Sequence, residues 1–296
     1  MKVFITGFSG FVGSSVIKYY NDKLIFINYK EKNNEIPKDI DVFMHFAGKA
    51  HDLKFTQDFQ NYYEVNTELT KEIFDIFLSS NAKIFITLSS VKAVADNIEH
   101  ELTEDFIPNP LTHYGKSKLL AEQYIMSKKI PNDKRVYILR PSMIHGPGNK
   151  GNLNLLFNFV KKGFPWPLGA FENERSFCSI ENICFVINEL ISRDDIPSGV
   201  YNIADDEPLS TKDLIKLIAF SQNKKPLILD IPKSIIVFFS RIGDFIPFPL
   251  NSERLEKLTE SFLVSNRKIL KVLGKRLPIS SRDGLLKTFK SFIKNI

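Results

Sequence analysis

The chain has 296 residues, of which 43% are hydrophobic and 25% are charged. This composition excludes a disordered chain, and the length allows one large domain or two unequal ones with a full core. The formal charge of +6 comes from basic residues spread along the chain, so we expect attraction for phosphate-bearing ligands and no nucleic-acid binding. Cys178 and Cys184 show neither metal-ligand spacing nor a disulfide framework, which predicts a cytoplasmic protein without a bound metal.

A glycine-rich turn follows the first predicted strand. Lys2 to Thr6 is apolar enough for a buried strand, and a helical pattern begins at Ser14. Glycines at positions 7, 10 and 13 allow a tight turn and close approach of the backbone to a pyrophosphate at the helix N-terminus. An ordinary strand-to-helix turn has the same composition, but the position directly after a strand favours a dinucleotide site.

The end of the second strand bears on the choice of cofactor. Leu24 to Asn28 is the predicted strand, and an NAD-binding fold usually places an acidic residue here for the ribose hydroxyls. Asn28 carries no charge that would repel a 2′-phosphate, and Lys30 or Lys32 could pair with one. The sequence therefore favours NADP(H) over NAD(H), with the alternative that both lysines face water and Glu31 takes the acid's role.

Strand and helix patterns alternate as far as residue 139. After the first two strands, the predicted elements are a strand over Asp41 to Phe46, a helix over Tyr62 to Leu78 with Asn66 near its start, a strand over Lys83 to Leu88 and a strand over Arg135 to Leu139. The alternation predicts a Rossmann-type, doubly wound parallel sheet. We count Arg135 to Leu139 as its sixth strand, broken into a loop by Arg140 and Pro141.

Two polar pairs suggest chemistry at the carboxyl edge of this sheet. Tyr114 and Lys118 begin a helical run and lie one turn apart, so an ammonium is expected beside a phenol and should bring its pKa down toward neutrality. Such pairs also occur by chance as exposed residues. Ser89 and Ser90 end the preceding strand, where a hydroxyl could hydrogen-bond a substrate carbonyl or simply cap a turn.

These features occur together with several further motifs in a fixed order. The motifs are T-G-F-S-G-F-V-G (6–13), H-F-A-G (45–48), Y-E-V-N-T (63–67), L-S-S (88–90), Y-G-K-S-K (114–118), L-R-P (139–141), H-G-P-G (145–148) and R-S-F (175–177). With them, the chain resembles an extended short-chain dehydrogenase/reductase of the nucleotide-sugar epimerase/dehydratase/reductase group. The resemblance spans most of the chain and does not identify one substrate.

The resemblance implies roles for individual residues. Tyr114 would be the acid/base, Lys118 would hold the nicotinamide ribose, and Ser90 would polarise the sugar oxygen, with Ser89 as the fallback. The implied cofactor-binding residues are Gly7, Gly10, Phe11, Val12, Gly13, Asn28, Lys30, Ala47, Gly48 and Lys118. The implied substrate-binding residues are Ser90, Asn152, Arg175 and Arg254, the last three on a sugar nucleotide's diphosphate. Arg254 is alternatively an exposed helical cation.

Two departures from the family pattern bear on the substrate. Ala93-Val94-Ala95 stands where V-Y-G is usual, and the S-S-V-K-A-V and P-W-P-L-G (165–169) segments resemble a bacterial polysaccharide subgroup. Those relatives act on UDP-N-acetylhexosamines or their 6-deoxy-4-keto forms. The short link from residue 29 to 41 also omits a strand that often contacts adenine.

The second half is expected to form a smaller substrate-binding lid. We place the dinucleotide domain at residues 1–150, with 176–203 returning to it, and the α/β lid at 151–175 and 204–296. The predicted elements are helices over Leu153 to Lys162, Glu181 to Ile191, Ser210 to Phe220, Ser234 to Ile242, Arg267 to Leu273 and Ser281 to Ile293, and a strand over Val200 to Ile203. The apolar stretch Ile231 to Leu250 is too interrupted to span a bilayer. It is interpreted as a flap over a ligand or as core, rather than as a surface that touches a membrane or a partner.

The functional hypothesis is hydride transfer at C4 of a UDP-linked hexosamine-type sugar. The basic segment after the second strand favours a 4-ketoreductase that uses NADPH, and a UDP-sugar 4-epimerase is the alternative with the same residues. Val91 and Lys92 replace the acidic pair that a 4,6-dehydratase needs, and the intact Tyr114 argues against an inactive cofactor sensor. By resemblance, a homodimer is expected through the helices over Tyr62 to Leu78 and Tyr114 to Lys128.

Overall fold

The structure is a computed structural model that describes residues 1–21, 23–28, 39–49, 59–149, 151–245 and 250–294. Its main sheet contains β1 (Lys2–Thr6), β2 (Ile25–Asn28), β3 (Val42–His45), β4 (Ile84–Leu88), β5 (Arg135–Pro141) and, returning from the second half, the strand Gly199–Ile203. Two short strands outside the main sheet, β6 (Met143–His145) and β7 (Phe177–Ser179), come before Gly199–Ile203 in the chain. Gly199–Ile203 is therefore β8. The order is β2-β1-β3-β4-β5-β8 and all neighbours are parallel. The predicted fold class is confirmed.

Helices connect these strands and make up most of the second half. They are α1 (Phe11–Tyr20), α2 (Gln60–Tyr63), α3 (Leu69–Ser79), α4 (His113–Ser127), α5 (Asn152–Lys161), α6 (Ile180–Ser192), α7 (Thr211–Ser221), α8 (Lys233–Ile242), α9 (Ser252–Thr259), α10 (Arg267–Leu273) and α11 (Ser281–Lys294). A π-helical stretch, Glu64–Glu68, joins α2 to α3, so the predicted single helix is interrupted. The short helix α9 was not predicted.

Both faces of the main sheet are covered. Val3 and Ile5 of β1 pack into a cluster with α1 and α6, whereas Phe4 packs on the other side with α3 and α4. Successive side chains of a strand point to opposite faces, so a strand buried on both faces is apolar throughout. This two-sided burial fixes the sheet between its helices and brings the carboxyl ends of the strands together at one edge.

One predicted strand position is wrong. Arg135–Pro141 is the fifth strand along the chain rather than the sixth, because four strands, β1 to β4, precede it among the described residues. It also continues through Arg140 and Pro141, since both residues pair with β8. The sixth strand of the sheet is β8 itself.

A second apolar cluster lies in the C-terminal half. It joins residues of α5, α7, α8, α9 and α11, and Trp166 is buried in it. Beside it, β6 and β7 form a two-stranded parallel sheet. Buried His145 at the end of β6 hydrogen-bonds Asp205 (Nε2 to Oδ2, 3.1 Å) and Thr288 (Nδ1 to Oγ1, 3.0 Å), which ties α11 to the end of the main sheet. The division into two domains remains a prediction.

Candidate active site

The turn between β1 and α1 is closely packed against the turn that follows β3. Gly7 has φ +69°, and a Cβ built on it would lie 2.4 Å from the backbone nitrogen of Ala47. A Cβ on Gly13 would lie 2.3 Å from the carbonyl oxygen of Gly7. A side chain at position 7 would separate the two turns, and one at position 13 would push the start of α1 away from the glycine turn. The turn thus has the backbone geometry that a pyrophosphate requires at the start of α1.

The other predicted cofactor residues surround this turn. Asn28 is exposed at the end of β2, paired with Ile5 of β1, so it lies at the same sheet edge as Gly7. Phe11 and Val12 open α1 and pack partly on the sheet, and a cleft of about 520 Å³ beside them is lined by Phe11, Ser14, Lys18 and Asn149. Lys30 lies outside the described residues. The residues around the turn fit a dinucleotide. Contact between Lys30 and a 2′-phosphate stays a prediction.

Tyr114 lies in the first turn of α4, next to the end of β4. Thr112 caps this helix by accepting a hydrogen bond from the backbone of Gly115 (3.1 Å). The phenol of Tyr114 hydrogen-bonds the hydroxyl of Ser90, which also accepts one from the backbone of Lys92 (3.2 Å). The Ser89 hydroxyl is buried with no hydrogen-bond partner among the described residues. The structure therefore places Ser90, rather than Ser89, beside the phenol. Ser90 both caps the turn after β4 and offers its hydroxyl to the phenol.

The predicted direction of the Tyr114 pKa is wrong. Burial raises the pKa of Tyr114, and the hydrogen bond from Ser90 only partly opposes this. The side chain is half-buried beside the ring of Tyr62, whose centroid is 6.2 Å away. Desolvation disfavours the charged phenolate more than the surrounding polar groups favour it. The phenol of Tyr114 is therefore protonated at neutral pH.

Lys118 is buried one turn further along α4. Its ammonium donates to the backbone carbonyl of Leu88 at 2.9 Å, and its Nζ would lie 3.0 Å from a Cβ on Gly48. Burial lowers the pKa of Lys118 to about 8, while the carboxylate of Glu122 opposes this change. Lys118 thus keeps its charge at neutral pH and faces the turn after β3.

A buried ion pair supports this lysine and was not predicted. Arg140, near the end of β5, contacts both carboxylate oxygens of Glu122, with Nη2 2.5 Å from Oε2 and Nε 2.9 Å from Oε1. Both side chains are almost fully buried. Glu122 lies four residues after Lys118 on the inner face of α4. A charged residue on that apolar face and the arginine of the L-R-P motif were the available sequence signals.

Asn66 connects the π-helical stretch to α4 and to the turn after β3. Its Oδ1 accepts from the backbone of Lys49 (2.9 Å), and its Nδ2 donates to Ser117 (3.0 Å). Asn66 is fully buried. Single π-helical turns often occur at functional sites. Here the turn aims an amide at the residue that precedes Lys118.

The predicted substrate residues are arranged less tightly. The guanidinium of Arg175 donates to the carbonyls of Glu260 (2.9 Å) and Lys257 (2.5 Å), at the C-terminal end of α9. Arg254 is exposed in the first turn of the same helix, and Asn152 is exposed at the start of α5. The structure thus brings both arginines to α9 and gives Arg175 a structural contact. Their binding of a diphosphate remains a prediction.

The fold and site are those of an α/β protein with a dinucleotide-binding turn, and comparison with known proteins specifies the family. The model of the NAD dependent epimerase/dehydratase family matches residues 3–204, and the chain belongs to this family. The resemblance found in the sequence, and the expectation of an enzyme, are confirmed.

Individual relatives are more distant. The chain is 28% identical to the UDP-glucose 4-epimerase of Vibrio cholerae over 325 aligned positions, covering 99% of this chain and 96% of that protein. It is 31% identical over 166 residues to the N-acetyl-alpha-D-glucosaminyl-diphospho-ditrans,octacis-undecaprenol 4-epimerase of Escherichia coli O157:H7, covering 55% and 50% of the two chains. The structure of UDP-glucuronic acid 4-epimerase from Bacillus cereus, in complex with UDP-glucuronic acid and NAD, superposes with a TM-score of 0.77 at 20% identity over all of both chains. No helix among the described residues is long and apolar enough to cross a membrane.

Proposed function

We propose that the chain is a 4-epimerase of UDP-linked hexoses or N-acetylhexosamines. The observation that carries the proposal is the hydrogen bond between the Tyr114 phenol and Ser90, one helical turn from the buried ammonium of Lys118. The similarity to a UDP-glucose 4-epimerase over nearly the full length of both chains supports this reaction over reduction. The sequence favoured a reductase because Lys30 and Lys32 could pair with the 2′-phosphate of NADPH, and both lysines lie outside the described residues.

In this reaction the phenol and the Ser90 hydroxyl hold the C4 oxygen of the sugar. Tyr114 takes the proton of the C4 hydroxyl as hydride leaves C4. The 4-keto sugar then rotates so that its opposite face receives the hydride, and Tyr114 returns the proton to the C4 oxygen. A bound NAD would accept and return that hydride and, when oxidised, place a positive charge beside Tyr114 that favours the phenolate. Lys118, anchored on Leu88, supplies a fixed cation at the same edge of the sheet.

The proposed cofactor is therefore NAD, held by Gly7, Gly10 and Gly13, with NADP(H) as the alternative that a reductase requires. The proposed substrate contacts are Asn152, Arg175 and Arg254. We also propose a homodimer through α3 and α4, where Leu120 and Met126 leave apolar surface exposed on α4. A cytoplasmic setting accords with the free, buried thiols of Cys178 and Cys184.

The test is incubation of purified protein with UDP-glucose, UDP-N-acetylglucosamine and a UDP-4-keto-6-deoxyhexose, each with and without NADPH. C4 isomers are separated by chromatography while absorbance follows the reduced nicotinamide. An epimerase interconverts isomers without net NADPH use and without incorporating solvent deuterium at C4. Stoichiometric consumption of NADPH with the keto sugar, and no isomerisation of the others, would establish the reductase instead.

A further inference from the structure

An exposed row of apolar side chains runs along α8. The row, here called the apolar stripe, consists of Ile235, Phe238, Phe239, Ile242 and Phe245. Apart from the adjacent pair Phe238 and Phe239, successive members are three residues apart, so the row lies on one side of the helix and its C-terminal extension. Phe238 is 61% exposed and Phe245 is 90% exposed. The opposite side of α8 packs Ile236 and Val237 against the second apolar cluster.

This arrangement is unusual because α8 is apolar on both sides. A helix at the surface of a globular protein normally shows a polar side to solvent, and contiguous exposed apolar patches mark sites of interaction. The sequence favoured two interpretations of Ile231 to Leu250, core and a flap over a ligand. The exposed stripe is not core, and a flap over a ligand would place the stripe against the substrate cleft. Leu227 and Leu229, in the segment that leads into α8, add further exposed apolar surface.

The charges around the stripe indicate what covers it. Residues 222 to 245 contain four basic side chains, all exposed, which are Lys224, Lys225, Lys233 and Arg241. Two acidic residues lie in the same interval: Asp230, 3.5 Å from Lys212, and Asp244, which accepts hydrogen bonds from Ser252 and interacts with the charge of Arg241, so basic side chains outnumber acidic ones by four to two. The whole chain carries a formal charge of +6. A second copy seated on the stripe would bring like charges together, whereas an anionic surface would complement them.

We propose that α8 docks this protein on anionic lipid bilayers, with the apolar stripe inserted at the level of the headgroups and the basic side chains on the phosphates. Exposed aromatic and aliphatic side chains with cationic ones beside them are the composition of helices that lie in the membrane interface. A spanning segment is not needed. Because α8 packs on α9, which carries Arg254, the docked surface adjoins the proposed diphosphate contacts.

The experiment is cosedimentation of the purified full chain with vesicles. One set is phosphatidylcholine alone, and the other contains about 30% phosphatidylglycerol. The wild type should bind the anionic vesicles at least several-fold better than the neutral ones, and added salt should weaken binding. A wild type that pellets no more with anionic vesicles than without vesicles would overturn the proposal.

Two variants and a matched control assign the binding to α8. Phe238→Ser/Phe239→Ser should weaken binding by about tenfold or more, because two large apolar side chains no longer leave water. Lys233→Glu/Arg241→Glu should remove the preference for anionic vesicles. Phe106→Ser/Ile107→Ser, another adjacent exposed pair, should bind like the wild type. Equal binding by the Phe238→Ser/Phe239→Ser variant and the wild type would contradict the proposal.

The Phe238→Ser/Phe239→Ser variant also tests two other occupants of the stripe, a second copy of the chain and the substrate. Sedimentation velocity without vesicles should give the same oligomeric state as the wild type, and dissociation would assign the stripe to a second copy. UDP-sugar turnover without vesicles should be unchanged, and a raised KM would assign the stripe to the substrate cleft. A chain that binds vesicles but turns over no UDP-sugar would refute the proposed function and leave the docking surface intact.

Discussion

The two sides of the site differ in how their side chains are held. The catalytic wall, comprising Asn66, Ser90, Tyr114, Lys118 and the Glu122–Arg140 pair, is buried or half-buried and bonded across four elements. The proposed lid side, comprising Asn152, Arg175 and Arg254, is more exposed, and its best-held guanidinium, that of Arg175, is bound to the protein's own carbonyls. The comparison teaches that, in the proposed reaction, the acid/base groups would be preorganised by the sheet, whereas the choice of substrate would rest on residues that the fold leaves accessible.

The largest expected effect concerns the catalytic wall. Tyr114→Phe removes the hydroxyl that Ser90 contacts and keeps the ring beside Tyr62. We expect turnover of the UDP-sugar to fall by about 10²- to 10⁴-fold, the usual contribution of a positioned acid/base. Bound nicotinamide, measured after denaturation, and the melting temperature should not change. A variant with nearly normal turnover would remove the phenol from the mechanism and reduce the wall to a structural feature.

The buried ion pair tests whether the wall is held together by charge. Arg140→Met leaves the carboxylate of Glu122 buried without its partner, so we expect the free energy of unfolding in urea to fall by about 3 to 5 kcal/mol. The double variant Arg140→Met/Glu122→Leu removes both charges and should recover most of this loss. If the double variant is as unstable as the single one, packing rather than charge determines the cost.

Local spacing accounts for what could be predicted of this site. The glycines at 7, 10 and 13 and the four-residue separation of Tyr114 and Lys118 are features within one turn of chain. Their chemistry follows from residue type, so the sequence predicted the glycine turn and the placement of Tyr114 and Lys118 one turn apart on α4, whereas contact between the phenol and the ammonium stays a prediction. The parallel sheet followed from apolar runs that alternate with amphipathic ones.

What could not be predicted depends on burial and on contacts between distant elements. The pair of Glu122 and Arg140 joins α4 to β5, and neither residue alone signals a partner. Burial reversed the expected pKa of Tyr114, because desolvation is not visible in spacing. Helix α9 was missed because it is only eight residues long and mostly polar, with Leu255 and Leu258 as its apolar residues, so the pattern covers barely two turns.

The glycine turn allows a matched test of close packing. Gly7 and Gly148 both have positive φ, but a Cβ on Gly7 meets backbone atoms at 2.4 to 2.6 Å, whereas one on Gly148 meets nothing within 4 Å. Gly148→Ala should cost about 1 to 2 kcal/mol of stability from backbone strain alone. Gly7→Ala should cost more and should also abolish retention of the nicotinamide cofactor. Equal losses in the two variants would show that the approach of the two turns is not required.

The pH dependence of turnover reports on Lys118. Its pKa in the folded protein, about 8, lies below the usual value of 10.5, so the cation is present below pH 8 and is lost as the pH rises through that value. We therefore expect kcat to fall on the alkaline side near pH 8. Glu122→Gln removes a carboxylate that raises this pKa, so the alkaline limb should move to lower pH. An unmoved limb in a folded variant would assign it to another group.

The smallest expected effect separates the two arginines of the lid side. Arg254 is exposed, so Arg254→Ala should raise KM for a UDP-sugar about tenfold, the value of one charge-assisted contact, with kcat and the melting temperature almost unchanged. Arg175→Ala should instead lower the melting temperature, because the carbonyls at the end of α9 lose their donor. Arg175→Lys is the control, since it keeps the charge but not the planar fork. If Arg175→Ala changes only KM, the guanidinium leaves α9 when substrate binds, and the two sides of the site differ less than their present contacts indicate.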